Sequence, residues 1–312
     1  MAAGNPPLSA ALAERPLVLD GGLSNQLEAA GHDLSDELWS ARLLLEAPEA
    51  LVAAHRAYLA AGADVVTTAG YQATYEGFAR RGLGRRETDE ALRVSVELAR
   101  TAADQEDRAP GRSGPRYVAA SVGPYGAMLA DGSEYRGRYG LGEAELERFH
   151  RPRLEVLAEA APDVLALETV PDASEGRALL RAVAGLGVPA WLSYSVDGDR
   201  TRAGQPLAEA FAPAAEVDEV IAVGVNCCAP QDVAAAVEIA ARVTGKPVVV
   251  YPNSGEHWDA GARAWHGPQG FDTTAVPGWV AAGARLVGGC CRIGPATVRQ
   301  VAAALDGTGP GR

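Results

Sequence analysis

Val220-Ile-Ala-Val-Gly-Val-Asn-Cys227 is a run of apolar and β-branched residues that ends on polar, metal-ligating chemistry. A helical pattern follows over residues 230–244, and then a second run, Pro247-Val-Val-Val-Tyr-Pro-Asn253. Both runs are too continuously apolar for a sheet with one wet face. Helices must cover them, so the stretch reads as a parallel β-α-β unit. Working outward, the same alternation recurs. Further runs fall at 17–20, 64–68, 117–121, 164–168, 190–195 and 285–290, making eight in all. Helical patterns fill 49–62, 88–103, 143–160, 173–185, 207–215 and 295–305, with Thr88 as a candidate N-cap and Gly62 as a candidate stop. Eight strands alternating with helices predict an α/β fold, a single-domain (β/α)8 TIM barrel over residues 15–305. Residues 1–14 and 306–312 read as loose ends. The competing architecture is a doubly wound open sheet. Against it, polar residues gather at the C-terminal ends of the runs, where barrel sites lie, and Asp20-Gly-Gly-Leu-Ser lacks a dinucleotide fingerprint.

Composition bounds the function. The chain has 312 residues, of which 47% are hydrophobic and 22% charged, and its formal net charge is −12. This length and balance support a large core without disulfide staples and exclude a disordered or collagen-like chain. An acidic chain without a Lys/Arg-rich run offers no footprint for nucleic acid or an anionic membrane. No stretch reaches the roughly 20 apolar residues of a membrane span, and the first residues carry no signal-peptide pattern. A reducing, cytoplasmic location is therefore expected. No feature specifies an oligomeric state.

The four cysteines form two adjacent pairs, Cys227-Cys228 and Cys290-Cys291. Each pair ends a strand, and strand ends in a barrel open onto one mouth. Adjacent residues on a strand point to opposite faces, so Cys290 and Cys291 can serve one metal only if the chain turns; Gly288-Gly289 and Gly294-Pro295 flank that point. Three thiolates with one open position suit a catalytic zinc that receives a soft ligand. We expect Cys227, Cys290 and Cys291 as ligands and Cys228 as a packing residue. The alternative fate of a free cysteine is that of a small buried hydrophobe. Asp20 and Glu168 end other runs, and two acids in an apolar mouth suit a cationic group such as a substrate ammonium; an N-cap or a salt bridge is the plainer alternative. Thr67, Thr68, Asn226 and Asn253 are strand-end polar groups. Arg136, Arg138, His257 and Trp258 lie in mouth loops that carry no readable motif.

Taken together, Asp20-Gly-Gly, Tyr71-Gln-Ala-Thr74, Glu168-Thr, Gly224-Val-Asn-Cys227 and Gly288-Gly-Cys-Cys291 resemble the zinc-dependent homocysteine S-methyltransferases, of the S-methylmethionine:homocysteine type, across residues 15–305. The resemblance implies a barrel with Zn2+ on Cys227, Cys290 and Cys291. It implies that Asp20 and Glu168 hold the homocysteine amino group, with Thr68 and Asn226 also at the substrate. The partners it implies are small molecules, homocysteine and a sulfonium methyl donor, S-methylmethionine or S-adenosylmethionine, and the product is methionine. One position departs: Gly70 stands where family members often carry Ser or Thr. Other readings remain: a barrel methyltransferase for another thiol or selenol or with a betaine-type donor, a redox protein with a Cys290-Cys291 disulfide, and a four-cysteine zinc-storage or sensing protein.

Overall fold

The computed structural model describes residues 5–34, 38–107, 114–259 and 264–307, without the side chains of residues 39, 107, 257–259 and 264–265. Every apolar run forms a strand: β1 (Leu17–Val18), β2 (Val65–Thr67), β3 (Tyr117–Val122), β4 (Val164–Val170), β5 (Ala190–Tyr194), β6 (Val220–Asn226), β7 (Val248–Tyr251) and β8 (Ala284–Val287). All pairings in this sheet are parallel, in the order β1-β8-β7-β6-β5-β4-β3-β2, and a bridge between Leu19 and Val65 joins the two ends. The result is a (β/α)8 barrel. Its outer ring includes helices Pro48–Ala61, Arg85–Asp107, Glu143–Glu159, Ala173–Val183, Leu207–Ala215, Val233–Thr244, Val276–Ala282 and Pro295–Asp306. The second of these begins before the expected Thr88 cap. The Glu87 carboxylate accepts the Gly84 N–H at 2.9 Å and the Thr88 hydroxyl donates to the Gly84 carbonyl, which places Thr88 inside the first turn.

Two apolar shells explain why the strands are apolar on both faces. Outward residues such as Val66, Val118, Leu165, Leu192, Val223 and Val250 pack under the helices. Inward residues, among them Leu19, Val65, Ala119, Ala166, Trp191, Ala222 and Val249, fill the barrel. Continuing each strand by the period of two, the inward set turns polar at the C-terminal end: Thr67, Ser121, Glu168, Ser193 and Asn226. That polar layer is the floor of the mouth.

The β1–β2 seam is the exception to regular pairing, because only the isolated Leu19–Val65 bridge joins these strands. Two aspartate side chains extend it. At the lower end the Val18 N–H donates to Asp64 Oδ2 at 2.9 Å. At the upper end Asp20 accepts the Thr67 N–H at 2.7 Å and the Thr67 hydroxyl at 3.0 Å.

The N-terminal segment departs from the expected loose end. Residues Leu8–Glu14 form a helix whose Leu8, Ala11 and Leu12 are buried with the inward shell, plugging the barrel floor. Three apolar residues at helical spacing on a bare strand-end surface account for the docking. At the other end the last helix runs to Asp306, and residues 308–312 lie outside the described residues. Leu12→Ala is expected to lower stability by about 2–4 kcal/mol, the usual cost of emptying a packed site, read as a shift of the urea midpoint.

Candidate metal centre

Cys227 follows β6 directly, and Asn226 before it points into the barrel. Simple alternation would send Cys227 outward. Its backbone instead takes φ +48°, in the left-handed region that non-glycine residues rarely occupy. The turn brings the Cys227 sulfur back over the mouth and delivers Cys228 to the outer shell, where it is fully buried. Burial pushes the Cys228 thiol up to about 12. Across the mouth, Cys290 and Cys291 follow β8. The Sγ atoms of Cys227, Cys290 and Cys291 all lie within 4.8 Å of one another. The Cα atoms of Cys227 and Cys290 are 5.6 Å apart with their sulfurs in contact, and Cys291 Sγ is 4.0 Å from each sulfur. Cys228 stands apart from the other three sulfurs, so the cluster is one of three cysteines and not four.

Backbone packing holds these loops together. A Cβ on Gly22 would lie 2.7 Å from the Cys290 carbonyl oxygen, and one on Gly288 would lie 2.5 Å from that of Asp20. Asp20-Gly-Gly and Gly288-Gly-Cys-Cys therefore press main chain against main chain; these glycines supply closeness of approach. The Cys291 N–H donates to Asn253 Oδ1 at 3.1 Å, and the Cys290 N–H donates to the Pro252 carbonyl at 2.8 Å. Asn253 is thereby a brace for the cysteine turn. The Tyr135 side chain interacts with Cys291 across the mouth.

The two acids meet at the same mouth. Glu168 accepts a hydrogen bond from the Ser121 hydroxyl and interacts with Tyr251, whose oxygen accepts from Trp191 Nε1 at 3.0 Å. Asp20 and Glu168 are 2% and 7% exposed, and no described cationic side chain pairs with either. Burial pushes Asp20 up to about 8 against the pull of the Thr67 hydrogen bonds. Burial likewise pushes Glu168 up to about 7. Two buried, uncompensated carboxyls form a receptor for a positive charge.

The remaining expected residues are buried and engaged. The Thr68 hydroxyl accepts the Ser121 N–H at 3.1 Å; Thr67, one residue earlier, meets Asp20. Asn226 Oδ1 accepts from the Thr169 N–H and the Ser193 hydroxyl, both at 2.7 Å, and its Nδ2 donates to Thr169 Oγ1 at 2.7 Å, tying β4 to β6. Thr169 is itself left-handed, φ +59°. At Gly70 a Cβ would sit 2.7 Å from the Ser121 carbonyl oxygen. Tyr251 and Ser121 were recoverable by counting alternate residues from Val249 and Ala119. Tyr135 was not, because it arrives on the irregular segment after β3. His257 and Trp258 belong to a hairpin whose side chains are outside the described residues.

A profile described as Homocysteine S-methyltransferase matches residues 17–305. The chain belongs to the homocysteine S-methyltransferase family. It is 48% identical over 303 residues to homocysteine S-methyltransferase 4 of Zea mays, covering 92% of this chain and 89% of that one. The crystal structure of the metallated form of the homocysteine methyltransferase MmuM from Escherichia coli matches with TM-score 0.87 at 42% identity, over 96% of this chain and 99% of that one. The oxidised form of MmuM matches over the same shares with TM-score 0.87 at 43% identity. As a homocysteine S-methyltransferase, the chain is an enzyme that transfers a methyl group to homocysteine, a small molecule. No described helix is long and apolar enough to cross a membrane.

The raised carboxyls set a pH dependence of stability. Between the ordinary carboxyl range and about 7, the folded chain holds a proton on Glu168 that the unfolded chain has released, so stability falls as pH rises through that window. Glu168→Gln, measured by urea denaturation of metal-free protein at pH 5 and pH 8, should flatten this slope and gain about 1–3 kcal/mol at pH 8 relative to pH 5.

Proposed function

We propose that this enzyme moves a methyl group from the sulfonium donor S-methylmethionine to the thiolate of L-homocysteine, with Zn2+ held by Cys227, Cys290 and Cys291. The observation that carries the reading is the convergence of three thiols beside two buried, unpaired carboxyls. The three sulfurs, as thiolates, make a soft donor set that two strand ends hold within ligating reach, leaving a fourth position for a substrate sulfur. Zn2+ there would lower the pKa of the homocysteine thiol and keep it as a thiolate near neutral pH.

The chain's own residues supply orientation. Asp20 and Glu168 receive the homocysteine ammonium, which replaces the missing counter-charge and draws both carboxyls into their ionised form. Ser121 fixes the Glu168 carboxylate by donating to it, with Tyr251 beside it, and Thr67 fixes Asp20. Thr68 and Asn226 act here by holding the ends of β2, β3, β4 and β6 around the acceptor. Homocysteine sulfur attacks the donor methyl carbon in line; the carbon–sulfur electron pair stays on the donor sulfur, which leaves as the neutral thioether of methionine. The acceptor also becomes methionine, and its thiol proton is released to solvent. The cationic donor loses its charge in this step, so the negative mouth favours the donor before transfer and releases both neutral thioethers after it. Free thiols are needed throughout, which fits a reducing, cytoplasmic setting.

Reduced protein should bind about one zinc per chain. Cys227→Ser should lose most of it, whereas Cys228→Ser should retain it, measured by metal analysis after gel filtration under reductant. Full activity in metal-free protein would overturn the zinc reading. In a panel of S-methylmethionine, S-adenosylmethionine and betaine with homocysteine, S-methylmethionine should give the highest kcat/KM. Glu168→Ala should raise the homocysteine KM at least about tenfold at unchanged zinc content, as loss of a charged hydrogen-bond partner does. In the wild type this KM should fall as pH rises from 6 to 8, because the carboxyl that binds ammonium becomes ionised over that range.

A further inference from the structure

A cleft of about 650 Å³ opens beside the cysteine trio, between residues 129–139 and 202–204. Tyr135 belongs to both places: it lines the cleft and its side chain interacts with Cys291. Three arginines line the same cleft, Arg136, Arg138 and Arg202, in a chain of net charge −12. Their commitments differ. Arg136 is 66% exposed and lies near Asp131 at 3.6 Å, with its Nη2 also on Ser133. Arg138 takes a left-handed backbone, φ +55°, and its guanidinium donates to the Ala203 carbonyl, closing one wall of the cleft. The Arg202 guanidinium has no hydrogen-bond or ion-pair partner among the described residues, and its Nε is buried from solvent. Asp232 lies within its field but forms no ion pair with it.

A partly buried, unpaired guanidinium is costly unless something anionic completes it, and its planar donors match a carboxylate in two-point geometry. Its anchorage leads back to the metal centre. The Arg202 N–H donates to the Ser195 carbonyl at 3.1 Å, and the Ser195 hydroxyl donates to the Cys227 carbonyl at 3.2 Å. We infer that this cleft is the subsite for the carboxylate of the methyl donor and that Arg202 is its anchoring cation. The inference rests on the donor being an α-amino-acid sulfonium, as proposed above. The mouth then has two charged flanks: the acid pair takes the acceptor's ammonium, and the arginine cleft takes the donor's carboxylate. Each substrate enters by its own charge and both sulfurs meet over Cys291.

The test compares wild type, Arg202→Gln and Arg202→Lys with two donors, S-methylmethionine and its carboxylate-free analogue (3-aminopropyl)dimethylsulfonium, at saturating homocysteine and full zinc loading. We expect Arg202→Gln to raise the KM for S-methylmethionine about 10- to 100-fold, the range for a lost charged hydrogen bond. Arg202→Lys should recover part of that loss. Homocysteine KM and zinc content should stay at wild-type values, which also controls for folding. The analogue, read as KM or as an inhibition constant, should bind wild type and Arg202→Gln within about twofold. An unchanged S-methylmethionine KM in Arg202→Gln, or an equal loss for both donors, overturns the subsite while leaving the donor assignment standing. A wild-type enzyme that turns over neither S-methylmethionine nor S-adenosylmethionine overturns the donor assignment and the subsite with it.

Discussion

Side-chain alternation along β6 sends Asn226 into the barrel and would send Cys227 out of it, and the metal centre depends on the reversal of that rule. The left-handed backbone at Cys227 costs on the order of 1 kcal/mol or more in a non-glycine residue. It returns one thiol to the mouth and leaves the next one, Cys228, in the outer shell. Without the reversal, two adjacent cysteines would face opposite shells the other way round, and Cys290 and Cys291 would have no third partner. The partner segment solves the same problem differently. Gly288 lets the chain press against the β1 loop, Gly289 leaves room for the Ile293 side chain, and Asn253 then holds the Cys291 amide. Two strand ends 63 residues apart in sequence thus deliver three sulfurs to one point.

The barrel was legible in the sequence because its signal is repeated. Eight buried runs with helices between them admit few architectures, and each run became a strand. The metal trio was legible because cysteine is scarce and its two pairs sit at run ends. Asp20 and Glu168 stood out as acids where apolar residues were expected. Less legible was everything set by direction rather than by residue type. Thr68 and Thr67 are alike in composition, and only the inward parity inherited from Val65 decides that Thr67 meets Asp20. Asn226 has the polarity of a ligand-binding group, and its amide also ties Thr169 and Ser193 together, which residue type alone does not show. The helix at Leu8–Glu14 was missed because its apolar face is only three residues wide, and its partner surface exists only once the barrel has closed. Tyr135 and Arg202 ride on irregular segments, where neither period nor motif predicts what a side chain will meet.

The acids at the mouth show how a binding site weighs on a fold. Glu168 accepts from a hydroxyl donor, but a hydroxyl carries no net charge, so burial still dominates and the carboxyl rises to about 7. A lysine or arginine beside it would settle the charge and also occupy the place of a substrate ammonium. The mouth keeps the charge unsettled, and the surrounding apolar shells supply the stability that it withholds.

The β1–β2 seam gives Asp20 a second consequence. These strands share only one bridge, and the Asp20 carboxylate holds the seam's upper end through Thr67. The same carboxylate faces the mouth. A cation arriving there favours the ionised, fully accepting form of the group that clasps the barrel shut, so ligand binding and barrel closure become linked equilibria through one side chain. Native-state hydrogen exchange at the Thr67 amide is where that linkage becomes visible: protection of this seam would rise with occupancy of the mouth, and the barrel would be tightest when the acceptor is in place.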